Sequence, residues 1–132
     1  MITGSVSLRF WHPAEDLAFL SSLLALPCYR SWLSGARRQT PKGSLLPGVY
    51  KESYWVTRLE YPVKEGFGNK FVLAVKCLLK AEKEILKLIQ SGGRVEVYLQ
   101  LPGHINYGAT IDNSNILILG NLGVDFLIEV FP

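Results

Sequence analysis

Two histidines, two cysteines, one adjacent pair of acids and one run of unpaired cations are the places where residue type and spacing admit chemistry in this chain. A nucleophilic Ser or Cys needs a base within hydrogen-bond reach, and only His12 and His104 can supply one. Each follows a stretch that reads as a strand, so a fold can bring them together. A metal site normally wants three or four ligands, and two imidazoles fall short of that. The simpler reading puts His12 at a helix start and His104 in a loop. Cys28 and Cys77 lie far apart in apolar surroundings, without CxxC spacing. They read as buried free thiols of a reducing compartment. Glu15 and Asp16 sit where a helix begins, and two acids there serve the helix dipole. The glycines at 92–93 and 103–108 do not follow the strand, Gly-rich loop, helix order of a phosphate cradle. No catalytic residue, metal or cofactor is assigned, and the chain reads as a non-enzyme.

The remaining candidate is the stretch SWLSGARRQTPKG, residues 31–43. From Arg30 to Lys51 there are five cations and no carboxylate. Arg37, Arg38 and Lys42 are read as donors to an acidic partner or a phosphate, because a guanidinium grips such groups through two parallel bonds. Tyr54 and Trp55 are read as an aromatic wall beside them. Trp32 and Gly35 are given structural roles: Trp32 as the anchor of the loop, Gly35 as the turn that brings it in. An anchor of that size is needed because a long segment loses much entropy on ordering. A buried Trp removes about 150–250 Å² from water, on the order of 4–6 kcal/mol as an upper estimate.

The elements that must position these residues are legible from periodicity. Val6, Leu8 and Phe10 alternate with Ser5, Ser7 and Arg9, the period of a half-buried strand. Pro13 fits the first position of a helix whose inward stripe is Leu17, Leu20 and Leu24, ended by Pro27. Residues 28–51 form a long irregular segment with Gly35, Pro41, Gly43, Pro47 and Gly48, and such segments are commonly functional. Residues 53–61, SYWVTRLEY, are rich in aromatic and β-branched types and read as a strand.

Asn69 caps the next predicted helix, over about 69–90. Its apolar positions Phe71, Val75, Leu78, Ile85 and Ile89 share one face, and Lys76, Lys80, Lys83 and Lys87 share another. Ser91-Gly92-Gly93 stops it. Residues 94–101 alternate again, a helix starts near Asp112 and closes at Gly123, and Val124, Phe126, Ile128 and Val130 form a last strand.

The pattern predicts an α+β two-layer fold of about four mainly antiparallel strands and three helices. It reads as a ferredoxin-like variant built from two β-α-β halves joined by a long helix. The 132 residues make a single domain, 1–132, with halves at about 4–61 and 94–131. An all-parallel sheet is the runner-up, disfavoured because strands buried on both faces do not alternate.

Leu26-Pro27, Ser31-Trp32-Leu33-Ser34-Gly35-Ala36-Arg37-Arg38, Tyr54-Trp55, Gly92-Gly93-Arg94-Val95 and Ile128-Glu129-Val130-Phe131 follow one another in an order that resembles the bacterial family catalogued as domain of unknown function 4279. The resemblance covers nearly the whole chain, and its best part is Trp32-x-x-Gly35-x-x-Arg38 joined to Tyr54-Trp55. The family's acid before the arginine is replaced here by Ala36-Arg37. The family has no established activity, so the resemblance bears on architecture. Some such small bacterial proteins look like immunity proteins encoded beside toxins.

Composition sets the remaining limits. Hydrophobic residues are 48% and charged residues 19%, with a net charge of +3. This is ordinary globular composition, and too mildly basic for a typical nucleic-acid binder. The start MITGSVSLRF lacks a basic segment followed by an apolar run, and no apolar run reaches the roughly 18 residues of a membrane span. The expectation is a cytoplasmic protein-interaction module that meets an acidic protein partner, toxin-immunity-like, without membrane or nucleic acid. The alternative is a binding domain for a small anionic ligand held by the basic Trp-anchored loop. The apolar end, residues 126–131, is expected to support a homodimer through an edge strand.

Overall fold

The computed structural model describes residues 2–103, 106 and 108–132. His104 lies outside the described residues, and so does the question of its approach to His12. Eleven elements follow one another: β1 (Thr3–His12), α1 (Leu20–Leu24), β2 (Arg30–Trp32), β3 (Arg37–Gln39), β4 (Leu45–Val49), β5 (Ser53–Pro62), α2 (Gly68–Lys80), α3 (Glu82–Gln90), β6 (Arg94–Pro102), α4 (Asn113–Leu122) and β7 (Asp125–Phe131). Five strands form one sheet in the order β2-β5-β1-β6-β7, and β3 and β4 form a separate hairpin.

The fold is α+β and mostly antiparallel, as periodicity predicts, with more elements than expected. The segment 28–51 contributes three of the seven strands. β1 is central and runs antiparallel to both neighbours, β5 and β6. Among the described residues only β6 and β7 pair in parallel, and α4 lies between them in the chain. The two halves therefore differ in strand direction, and the ferredoxin-like layout is not reproduced by the strand order.

Alternation places the core on one face. Val6, Leu8 and Phe10 of β1 pair with Leu59, Thr57 and Trp55 of β5, and with Leu99, Val97 and Val95 of β6. These side chains, Leu59 half-buried and the others nearly or fully inaccessible, lie under the helices with Leu20, Phe71, Leu78 and Ile85. Gly4 allows the close passage of Tyr61 across β1: a Cβ there would stand 2.2 Å from the Tyr61 hydroxyl. That hydroxyl donates to the Gln100 carbonyl at 2.9 Å.

Two helices differ from expectation for local reasons. The first is only Leu20–Leu24, because upstream donors are taken by side chains. His12 Nδ1 accepts from the Ala14 and Glu15 amides, and Asp16 Oδ1 accepts from the Ala18 amide at 2.9 Å. Such turns compete with a helix. The helix expected over about 69–90 is broken at Ala81, where φ is −101° and ψ 19°. Ala81 donates to Leu78 O and accepts from Ile85 N, so the chain turns without losing its bonds. The break lets both Leu78 and Ile85 reach the sheet. The cap position is Phe67 and makes no side-chain bond, so Asn69 does not cap α2. Lys76, Lys80, Lys83 and Lys87 are all exposed, a solvated face.

α4 forms as read. Asp112 Oδ1 accepts from the Ser114 amide at 3.0 Å, and Gly123 closes the helix at φ +75°. No helix among the described residues is long and apolar enough to cross a membrane. Cys28 is exposed and Cys77 half-buried, and both are free. The expectation that both thiols are buried does not hold for Cys28, because Pro27 ends the apolar run before it.

Candidate functional site

The face of the sheet away from the helices carries the odd positions of β1 and the even positions of β5 and β6. Register sets them in rows. Trp32 of β2, Tyr54 of β5, Trp11 of β1 and Arg94 of β6 lie side by side, and Arg30, Val56, Arg9 and Glu96 form the next row. The result is a ladder of rings capped by guanidinium groups.

Trp32 lies between two tyrosines. Its ring stacks on Tyr50 at 4.4 Å and 8° and leans on Tyr54 at 4.6 Å, while Tyr54 meets Trp11 at 5.4 Å. The indole N–H donates to the Glu52 carbonyl at 3.1 Å. Trp32 is half-buried, at the edge of the open face rather than in the core. It anchors the hairpin from outside. Tyr50 completes the clasp, since its hydroxyl accepts from the Gln39 amide at 3.0 Å and donates to the Gln39 carbonyl at 3.1 Å. Gly35 sits at φ +84° in the turn before β3 and donates to the Tyr50 carbonyl. That backbone favours glycine.

Most arginines of this face are committed. Arg9 holds Glu96 through Nε at 2.8 Å and through Nη2, and lies over the rings of Tyr98 and Trp11. Arg94 pairs with Glu52 at 3.3 Å and stacks over Trp11, and Arg58 reaches Glu60 at 3.8 Å. Arg30 differs. It rests 5.0 Å over Trp32 and donates to the Gln39 carbonyl at 3.0 Å, with no carboxylate partner among the described residues. Burial raises the Tyr54 phenol above its ordinary value, opposed by the nearby Arg9 charge. Tyr54 therefore stays a neutral hydroxyl at physiological pH.

Two clefts meet at Arg30. One, of ≈ 680 Å³, lies between β2 and the hairpin and is lined by Ser31, Arg37, Thr40 and Tyr50 among others. The second, of ≈ 400 Å³, lies on the open sheet face against Arg9, Tyr54, Arg58 and Tyr98. Tyr29, Arg30 and Trp32 line both.

The residues singled out from the sequence are only partly brought together. Arg37 lines the larger cleft, with Nε donating to the Leu46 carbonyl at 3.2 Å. Arg38, the next residue on the strand, is exposed, with its aliphatic stem beside Gly48. Lys42 is exposed at the turn between β3 and β4. Neither Arg38 nor Lys42 lines either of these two clefts. Tyr54 is on the open face. Trp55 is a correction: it is 0% exposed in the core, edge-on to Phe10 at 5.8 Å, and its indole N–H donates to Ser21 Oγ at 3.1 Å. Neighbours on a strand point to opposite faces, so Tyr54 and Trp55 do not form one wall.

Sequence reasoning missed Arg30, Tyr29, Trp11 and Tyr98. The alternation of β1 and β6 marks Trp11 and Tyr98 as one face, the signal that finds them. His12 is buried, with Nε2 at 2.8 Å from Ser91 Oγ. Among the described residues no three of His, Cys, Asp or Glu converge as metal ligands. No family model, curated protein or solved structure matches the chain.

Proposed function

We propose that this chain is a non-enzymatic binding module that holds a small anionic ligand with a planar body. Arg30 and Arg37 grip its phosphate or carboxylate, and its planar part lies in the cleft along the ring edges of Trp32 and Tyr54. Arg30 is the observation that carries the reading. It is half-buried, preoriented over an aromatic ring, open to both clefts and without an acid partner among the described residues. A guanidinium so placed keeps donors free for an incoming anion, and its fork matches a carboxylate or phosphate through two bonds. The cleft volumes lie within the roughly 300–1,000 Å³ of small-molecule sites. The resemblance to domain of unknown function 4279 adds membership of that family to the proposal.

The test is thermal shift with phenyl phosphate, benzoate, a nucleoside monophosphate and inorganic phosphate. Stabilisation by an aromatic anion that is lost in Arg30→Gln supports the reading. No stabilisation by any of them removes it.

A second reading is a protein-interaction module for an acidic partner, immunity-like. Arg38 and Lys42 favour it, because they are exposed outside both clefts and extend the basic surface across the hairpin. Substituting these two leaves small-anion binding intact and weakens capture of an acidic protein. A toxin gene immediately upstream would support this second reading.

A further inference from the structure

The two edges of the five-stranded sheet are built differently. β2 is three residues long, carries Arg30 and leads into the hairpin. Natural edges commonly avoid pairing by being short and charged in this way. β7 is longer, seven residues, and its only charges are the acids Asp125 and Glu129. It keeps an unbroken register with β6 from Glu96↔Asp125 to Pro102↔Phe131, and contains no Lys, Arg or Pro. Its outer side pairs with no strand among the described residues. Ile128 and Val130 project on the helical side with Leu99 and Leu101, yet are 50% and 62% exposed.

α4 adds to this patch. Its run Ile116, Leu117, Ile118 and Leu119 is apolar on every side, but only Leu119 and Leu122 are buried, while Ile116 and Leu117 are exposed. This apolar turn lies between polar ends, residues 113–115 and Asn121, so its exposed side chains form a local apolar patch. α4 returns antiparallel to β7. At about 1.5 Å per helical residue against about 3.3 Å per strand residue, Ile116 and Leu117 come level with Leu127 and Ile128.

We propose that β7 pairs antiparallel with β7 of a second copy, about a two-fold axis at Ile128. Five strands from each copy then form one continuous sheet, and the outer side of α4 packs on its mate. The second copy is selected by register. Keeping both helix layers on the same side means that residues of one face lie opposite each other. Three central registers satisfy this. An axis at Glu129 sets Glu129 against Glu129 of the partner subunit. An axis at Leu127 sets Glu129 against Asp125 of the partner subunit. With the axis at Ile128, Val130 meets Phe126 of the partner subunit, Glu129 meets Leu127 of the partner subunit, and no acids are opposed. This self-complementarity is what a two-fold interface requires. The exposed apolar side chains at this edge amount to something on the order of 500 Å². The strand backbone extends it toward the about 800 Å² per partner of a standard interface.

Light scattering coupled to gel filtration, at micromolar concentrations, reads twice 14.8 kDa for the wild type. Ile128→Lys and Val130→Lys each return the mass to the monomer value with unchanged circular dichroism. In a Cys28→Ser, Cys77→Ser background, Ile128→Cys gives a disulfide-linked dimer on mild oxidation, and Leu127→Cys stays unlinked. Opposed strand residues bring their Cβ atoms close to disulfide spacing. A monomeric wild type, a dimer that survives both lysine variants, or crosslinking of Leu127→Cys as readily as Ile128→Cys overturns the proposal.

Discussion

Replacing Trp32 and Trp55 separately by alanine measures the different work of two tryptophans that the sequence presents alike. Trp55 is fully inaccessible, packs edge-on to Phe10 and donates to Ser21 Oγ. Trp55→Ala leaves a cavity and an unpartnered hydroxyl, and costs about 3–5 kcal/mol. Trp32 is half-buried, so Trp32→Ala loses about half of a side chain worth about 150–250 Å². At about 25 cal/mol per Å² that is ~2–3 kcal/mol, an upper estimate that relaxation of the loop reduces. Urea denaturation compares the two. The midpoint of Trp55→Ala falls well below that of Trp32→Ala, with similar slopes in both. Hydrogen exchange separates them further. In Trp32→Ala the amides of Gly35, Thr40 and Tyr50, which close the hairpin, exchange faster while those of β1 and β6 hold. In Trp55→Ala protection falls across the sheet. Equal costs, or a larger cost for Trp32, would refute the assignment of Trp55 to the core and Trp32 to the clasp.

Gly4→Ala places a methyl against the Tyr61 ring and the Gln100 carbonyl, and thermal unfolding registers a loss of about 1–3 kcal/mol from overpacking. Folding raises the Tyr54 pKa, so the unfolded chain ionises first as pH rises through the ordinary value of 10.0. The Tyr54 contribution is therefore complete below pH 10 and declines above it, and Tyr54→Phe flattens that decline in a stability–pH profile. The Asp112 carboxyl is held below its ordinary value by the bond from the Ser114 amide. Its contribution is present above pH 3.8 and lost as pH falls through the depressed value, and Asp112→Ala lowers the melting temperature at neutral pH while removing that acid dependence.

Alternation and cap chemistry made much of the fold legible. Val6-Leu8-Phe10, residues 53–61 and residues 94–101 announce strands, and Asp112 with Gly123 brackets α4. Pairing order was not legible, since alternation tells which face a residue takes and not which strand lies beside it. The hairpin was hidden because Arg37, Arg38 and Gln39 are all exposed and show no apolar period. Its strands are held by the Gly43 turn and by Trp32 and Tyr50, contacts between residues distant in the chain. Ala81 gives no sign of a break, since alanine is the best helix former, and the kink is set by the core. At the site, the acid-free run points to Arg38 and Lys42 as much as to Arg30 and Arg37, whereas the period of two separates Tyr54 from Trp55. Applied to the neighbouring strand, the same period sets Arg30 beside Trp32 on one face.

Arg30 and Trp32 are proposed to form the floor of an anion site. Titration of isotope-labelled protein with phenyl phosphate, followed through the Arg Nε–H and Trp Nε1–H resonances, tests it directly. Saturable shifts are expected at Arg30 and Trp32, with smaller ones at Arg37 and an unmoved Trp55 indole. Shifts that fail to saturate, or that centre on Arg38 and Lys42 while Arg30 stays still, would contradict it.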